Sequence, residues 1–313
     1  MVVVLAILVG TSGSQAIDFP KRTITLIGPF PAGGGVDRFS RGLTATAKKY
    51  LGETIVVKNV TGAGGATGSL TVLRAKPDGY TLLAMDTSLT TLSLFQKIDF
   101  SYESFEPIAM VMRCPTWFLT PSSTPYKTIH DLIEDAKKRP GMINVGVAGP
   151  SGSQFLMALA FESALGIDLN IIPRRGGGPL IKALVGKHDD AGVIHSPMGL
   201  DYAIKGDMRI LVAGGPTDVV VYDKPIPTFK ELNIPMEFSV WRGVFAPKGT
   251  PKPIVDRLAS AFINMCKDQH FVDFGKKWGV MPKCAGPEEF KRILDQDMET
   301  FTKVKSELVD TKK

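Results

Sequence analysis

The sequence predicts an α/β protein whose chain builds two lobes around a cleft. Three observations predict it. Short runs rich in Val, Ile and Leu recur at 23–28, 54–58, 80–85, 108–112, 143–147, 169–172, 192–195 and 209–213, without the strict alternation of a half-exposed sheet. The segments between them are long enough for helices, which gives a βαβ rhythm and parallel or mixed sheets covered on both sides. Glycine-rich strand-to-helix turns fall at 31–37, 149–154 and 173–179, in both halves of the chain. In open α/β sheets, ligands sit where such turns leave the carboxyl ends of strands.

The chain starts with an apolar run at 2–9 and small polar residues at 10–14. Ser14-Gln15-Ala16 then presents small residues at the two positions a signal peptidase reads. This is the layout of an export signal at 1–16, too short for a membrane span; the basic leader expected before it is missing, as a late start codon or a trimmed sequence would leave it. The other reading of VVVLAILV is a buried first strand. No cysteine lies near the cleavage point, so no lipid anchor is expected there.

Helical spacing covers 37–50 and 154–165, and in the second segment Phe155, Leu159, Ala160 and Ser163 share a face. From Pro253 the chain reads as mostly helical, with Ile254, Val255, Leu258, Phe262 and Met265 in one apolar stripe. A last helix is expected from Pro287 to about residue 308. Pro287 suits its first turn, and Glu288 and Glu289 suit its dipole. No repeat of solenoid period and no low-complexity linker divides the chain, so the two lobes must be joined by strands or short turns.

Composition bounds the function. Of 313 residues, 44% are hydrophobic and 22% charged, which excludes wholesale disorder and a multi-span membrane protein. The formal net charge of +6 is spread along the chain. No basic block marks a nucleic-acid arm, so no nucleic-acid partner is expected. A diffuse positive field favours an anionic ligand, although an ordinary basic surface has the same composition. The three cysteines, Cys114, Cys266 and Cys284, form no CxxC pair, which argues against a zinc ribbon or a thioredoxin-type site. An exported protein would permit a Cys266–Cys284 disulfide, three buried thiols being the alternative, and the odd count leaves at least one cysteine unpaired per monomer.

The segment PFPAGGGVD at 29–37 follows an expected strand and opens an expected helix. Its glycines let backbone amides approach a ligand, the helix start favours an anion, and Asp37 fits a capping or water-ordering role. It is neither a Walker A loop nor GxGxxG. NVTGAGGATG at 59–68 also joins strand to helix, and Pro77-Asp78-Gly79-Tyr80 is a turn. Thr87 and Ser88 follow the next strand, where hydroxyls can face a cleft. Gly149 to Gln154 repeat the first design, with Ser153 placed to cap a helix or donate to a carboxylate. Arg174 and Arg175, beside three glycines, can grip a carboxylate in fork geometry or simply face solvent.

What is missing matters too. There is no GxSxG elbow, no HExxH, and no spaced His/Cys ligand set; His130, His188, His195 and His270 are scattered. Asp189 and Asp190 are adjacent and make no general acid/base pair. An enzyme reading would need Ser153 or Ser196 as nucleophile and His195 as base, acting on a carboxylate or phosphate ester, and no spacing argues for that pairing.

The motifs, in their order, resemble a known family. PFPAGGGVD, NVTGAGGATG and KPDGYTLL are followed by GVAGPSGSQ, IIPRRGGGP, SPMGLDYAIKGDMRILV, PIPTFKELNIP and WRGVFAPKGTPKPIV. They look like the Bug (TctC-like) proteins, the periplasmic substrate-binding components of tripartite tricarboxylate transporters. The likeness runs from about Phe19 to the last helix. It implies a two-lobed, type II periplasmic-binding-protein fold of the Venus-flytrap kind, no enzymatic activity, no cofactor and no metal. It further implies a monomer that hands a small organic carboxylate to membrane permease subunits. Signalling to a membrane sensor is the alternative destination.

The resemblance places one lobe at 17–119 and 242–313 and the other at 120–241. Ligand contacts are implied for Phe30, Ala32, Gly33, Gly34 and Asp37, with Thr87 and Ser88 beside them. From the second lobe come Gly152, Ser153, Gln154, Gly176, Gly177, Asp190 and Ser196. The family commonly reads Pro-Tyr-Lys-Gly where this chain has Pro173-Arg174-Arg175-Gly176. Arg174 is therefore expected either to meet a second anionic group of the ligand, such as that of a dicarboxylate, or to turn outward.

Overall fold

The computed structural model describes residues 18–311, apart from Ser151, Pro197, 216–219, 222–223, Pro235, Glu237 and Gly279. The expected export segment at 1–16 lies outside the described residues. The first elements are β1 (Ile24–Gly28), α1 (Gly35–Thr44), α2 (Ala47–Leu51), β2 (Ile55–Asn59), α3 (Ala66–Leu73), β3 (Thr81–Asp86) and α4 (Ser88–Phe95). β1 lies between β2 and β3, parallel to both. Ile24, Leu26 and Ile27 are buried on opposite faces of this strand, as its unbroken apolar run requires. The expected helix at 37–50 is two helices, because the chain leaves helical geometry at Thr46 before α2 starts.

β4 (Phe105–Pro121) is one 17-residue strand, longer than the expected 108–112. Next come α5 (Ile129–Lys138), β5 (Asn144–Ala148), α6 (Ser153–Leu165), β6 (Asn170–Arg174), α7 (Gly177–Val185), β7 (Ala191–His195), α8 (Leu200–Lys205) and β8 (Met208–Ala213). The short pair β9 (Val220–Val221) and β10 (Lys224–Pro225) precedes β11 (Ser239–Pro247). The chain ends with α9 (Lys252–Lys267), α10 (Gln269–Lys277), β12 (Met281–Ala285) and α11 (Pro287–Thr311).

The partners of β4 change along its length. From Phe105 to Pro115 it pairs antiparallel with β11, and β12 joins it at Met110–Arg113. From Thr116 onward it pairs with β7 and β8. The strand order β2-β1-β3-β11-β4-β7-β5-β6 therefore carries two parallel βαβ groups, joined through β4 and the returning β11. This is the two-lobed α/β fold that the motif order implied.

Each group has its own core. In the first, α1 sets Val36, Phe39 and Leu43 against one face of the sheet together with Leu258 and Phe262 of α9. The other face is covered by Leu89 of α4 and by Phe290 and Leu294 of α11. Strand periodicity sorts β11 between these layers: Trp241 and Phe245 face α11, while Val244 and Ala246 face α1 and α9. The second core packs Phe118, Phe161 and Phe229 together. α6 meets it through Leu156, Met157 and Phe161, while the expected face, with Ser163, is its more open side. α11 touches both cores, the first through Phe290 and the second through Phe301, which stacks on Phe238. Cys266 and Cys284 form a disulfide tying α9 to β12, and Cys114 is a free, buried thiol.

Candidate ligand site

The turn into α1 is held rigid from within. Gly33 adopts φ +77°, a conformation that a side chain disfavours. Its amide donates to Asp37 Oδ2 at 2.9 Å, and Arg41 Nε donates to Asp37 Oδ1 at 2.9 Å. Arg38 Nε donates to Gly33 O at 2.6 Å. Burial alone would raise the Asp37 pKa, but the hydrogen bonds from Arg41, Gly33 and Asn59 and the charge of Arg41 outweigh it, so the carboxyl titrates below its ordinary value. Asp37 is thus committed to the loop. The first helical bond is Arg38 N–H to Gly34 O, so the amides of Gly35, Val36 and Asp37 have no helical acceptor.

Against this helix start lies Arg242 of β11, whose side chain takes the same face as Val244, toward Phe39. It is 5% exposed. Nη1 reaches Met112 Sδ at 3.5 Å, the guanidinium stands 5.9 Å from the Phe39 ring centroid, and Nε has no hydrogen-bond partner. Among the described residues, no carboxylate stands within ion-pair distance of it. Asp86 is its register partner on β3, but that carboxylate accepts from Ser88 N–H. A Cβ on Gly35 would come within 2.6 Å of Arg242 Nη2, so glycine is what lets the guanidinium lie against the helix.

Arg242 and the 33–35 glycines line a pocket of about 400 Å³ between the two groups of elements. Its first wall is apolar: Phe39, Met112, Phe274, Trp278 and Val280. The facing wall comes from α7, α8 and the turn before α8, with Ile181, Met198 and Tyr202. Arg38 caps one edge, its guanidinium 4.2 Å from the Trp278 ring centroid. Lys182 and Asp201 add opposite charges on the α7–α8 side.

Of the residues expected at the site, Gly33 and Gly34 line this pocket. Phe30 packs on the first core, and Ala32 is exposed. Thr87 is buried, and its Oγ1 accepts from Trp241 N–H at 3.1 Å. Ser88 opens α4, Gly152 is the N-cap of α6, and Gln154 Oε1 accepts from Ala148 N–H at 2.8 Å. Gly176 is the N-cap of α7, and Gly177 lies against Met198. Asp190 Oδ2 accepts from Asn144 N–H, and Ser196 is buried beside Pro115, with its N–H on Pro115 O. Arg174 clamps the fully buried Asp189 with Nε and Nη2.

Ser153 Oγ is 3.0 Å from His195 Nε2, and His195 Nδ1 is 3.1 Å from Thr116 Oγ1. Burial, and secondarily the charge of Arg242, lowers the His195 pKa to about 3, so the ring is neutral. A neutral imidazole between two hydroxyls donates to one and accepts from the other. Among the described residues no carboxylate orients it, and Ser153 is 1% exposed.

Sequence reading missed Arg242, Phe274, Trp278 and Tyr202. The signal for Arg242 was present: one charge inside the apolar run SVWRGVFAP, where a buried Arg needs an explanation. The aromatics of α10 gave none, since the same spacing serves a core helix. Among the described residues, no three His, Cys, Asp or Glu side chains converge as a metal site would need. No described helix is long and apolar enough to cross a membrane.

Comparison with known proteins agrees with this architecture. The family model "Tripartite tricarboxylate transporter family receptor" matches residues 39–308. Protein BugT of Bordetella pertussis is 29% identical over 314 aligned positions, covering 97% of this chain and 96% of that one. The solved structure of the periplasmic binding protein BugD superposes with a TM-score of 0.81 at 30% identity, covering 93% of this chain and 98% of its own. MatC from Rhodopseudomonas palustris with bound malate gives a TM-score of 0.81 at 27% identity, covering 92% of this chain and 100% of that one. These are solute-binding proteins and not enzymes, and this chain belongs to their family, the receptors of tripartite tricarboxylate transporters.

Proposed function

We propose that the protein is exported to the periplasm, captures a small organic carboxylate between its lobes and presents it to the permease subunits of a tripartite tricarboxylate transporter. One observation carries this reading: an interlobe pocket of about 400 Å³ into which a helix start and a buried, unpaired guanidinium both face. Helix amides and a desolvated cation suit an anion, and a pocket of this size suits a small molecule. The malate in MatC supports a carboxylate as that anion. The lobes are assigned to 17–119 with 242–313 and to 120–241; the turn at 87–88 goes with the first lobe's side of the cleft, and the turns at 152–154 and 176–177, with Asp190 and Ser196, with the second's. Closure of the lobes would shield the ligand from water and give the permease a shape to recognise.

The test is calorimetry of the purified protein against a panel of carboxylates, with thermal shift as a first screen, since a ligand of the native state raises the melting temperature by mass action. One-to-one binding without turnover supports the reading, and a panel that leaves both readouts unmoved overturns it. Fractionation of cells bearing the full-length chain tests export.

A further inference from the structure

The chemistry of the pocket says more than that an anion enters it. We infer that Arg242 is the anchor for the carboxylate head, and that the aromatic wall beside it selects a monocarboxylate with an apolar body, aryl or alkyl, over a hydroxylated di- or tricarboxylate. This rests on the carboxylate-binding reading above. A guanidinium 5% exposed, with Nε unpartnered and a thioether as its hydrogen-bond neighbour, lacks the acceptors that a buried charge requires. A ligand carboxylate supplies them, and the free amides at the start of α1 complete the cradle. Of the other charges lining the pocket, Arg38 holds Gly33 O and lies over Trp278 at its exposed edge, and Lys182 and Asp201 are of opposite sign on the α7–α8 side. Arg242 is thus the buried cation of the lining, set beside rings from Phe39, Phe274 and Trp278 and the adaptable side chains of Met112 and Met198. A second carboxylate or a set of hydroxyls would be desolvated where it lies against those rings, which is the cost that discriminates.

The experiment titrates phenylacetate, 4-hydroxybenzoate, octanoate, malate and citrate into the wild-type protein and three variants, by calorimetry and by tryptophan emission. Trp117 and Trp241 are buried and do not line this pocket, so a ligand-dependent change in emission that Trp278→Phe abolishes reports its occupation. The expected result is that at least one apolar monocarboxylate binds wild type tenfold or more tighter than malate or citrate. Arg242→Gln should weaken that binding about a hundredfold. Gly35→Ala keeps the charge but pushes the guanidinium aside, and should weaken it at least tenfold; it decides the matter if Arg242→Gln proves unfolded by circular dichroism. Wild-type affinity in both Gly35→Ala and a folded Arg242→Gln overturns the anchor while carboxylate binding stands. Malate or citrate binding as tightly as the monocarboxylates overturns the selection. Silence of the wild type toward every acid is the distinct result that sinks the carboxylate reading itself.

Discussion

Trp241 Nε1 donates a 2.7 Å hydrogen bond to Asp297 Oδ2, tying α11 to the strand that carries Arg242. Burial raises the Asp297 pKa to about 6, against the opposing effects of the indole hydrogen bond and the charge of Arg113. The folded state therefore holds the proton up to about pH 6, whereas the unfolded chain releases it near pH 4. Between those values the native state binds more protons, so this group's contribution to stability falls as pH rises toward 6 and stays at its minimum above. Asp297→Asn keeps an acceptor for the indole and removes the buried charge. It should stabilise the protein by about 2 kcal/mol at pH 7.5 and by almost nothing at pH 4. Urea unfolding of both proteins at the two pH values checks this, and an equal effect at both would rule out the ionised carboxylate as its source.

Arg174 and Asp189 define the next expectation. Asp189 is fully buried, and a Cβ on the neighbouring Gly146 would approach its Oδ2 to 2.3 Å, so glycine there is what admits the carboxylate. Removing the guanidinium leaves that charge unpaired, a change worth about 3 kcal/mol of stability. Arg174→Ala should therefore lower the denaturation midpoint clearly. With the fork already filled by Asp189, ligand affinity measured well below the melting temperature should move less than threefold. A loss of dicarboxylate affinity without loss of stability would instead revive the idea of a second anion at Arg174.

What the sequence disclosed and what it concealed follow from the physics of each segment. Parallel strands such as β1 and β5 are covered on both sides, so they read as plain apolar runs, and the glycine turns after them mark helix starts without ambiguity. β11 and β12 are harder. β11 contains Arg242 and Gly243, and β12 contains Pro282 and Lys283, all of which speak against a strand when read locally. Both form because β4 offers its edges, a contact distant in the chain. The glycine turns announced an anion site, but the aromatic wall beside them comes from α10 and the residue after it, about 240 residues later. Its Phe274 and Trp278 have the spacing of any amphipathic helix. Arg242 stood in plain view within a quoted motif, and only its depth and its missing partner distinguish it from a surface charge.

The Cys266–Cys284 disulfide gives the last expectation, because it sits behind the aromatic wall. It joins α9 to β12 across 18 residues, and the loop it closes contains α10 with Phe274 and Trp278. Closing a loop of that size removes conformational freedom from the unfolded chain, worth about 3 kcal/mol. Cys266→Ser with Cys284→Ser should lower unfolding free energy by roughly that amount, and a reducing agent should do the same to the wild type once the bond is reached. Binding should suffer as well, because α10 packs on β12 and on α1 and loses its covalent clamp. A fewfold weakening at 25 °C that grows on warming is the expected pattern. If the double variant matches wild type in both urea midpoint and ligand affinity, the bond contributes nothing to the unfolded-state constraint or to the wall, and the rigidity of that wall must come from Phe271 and its neighbours in the core.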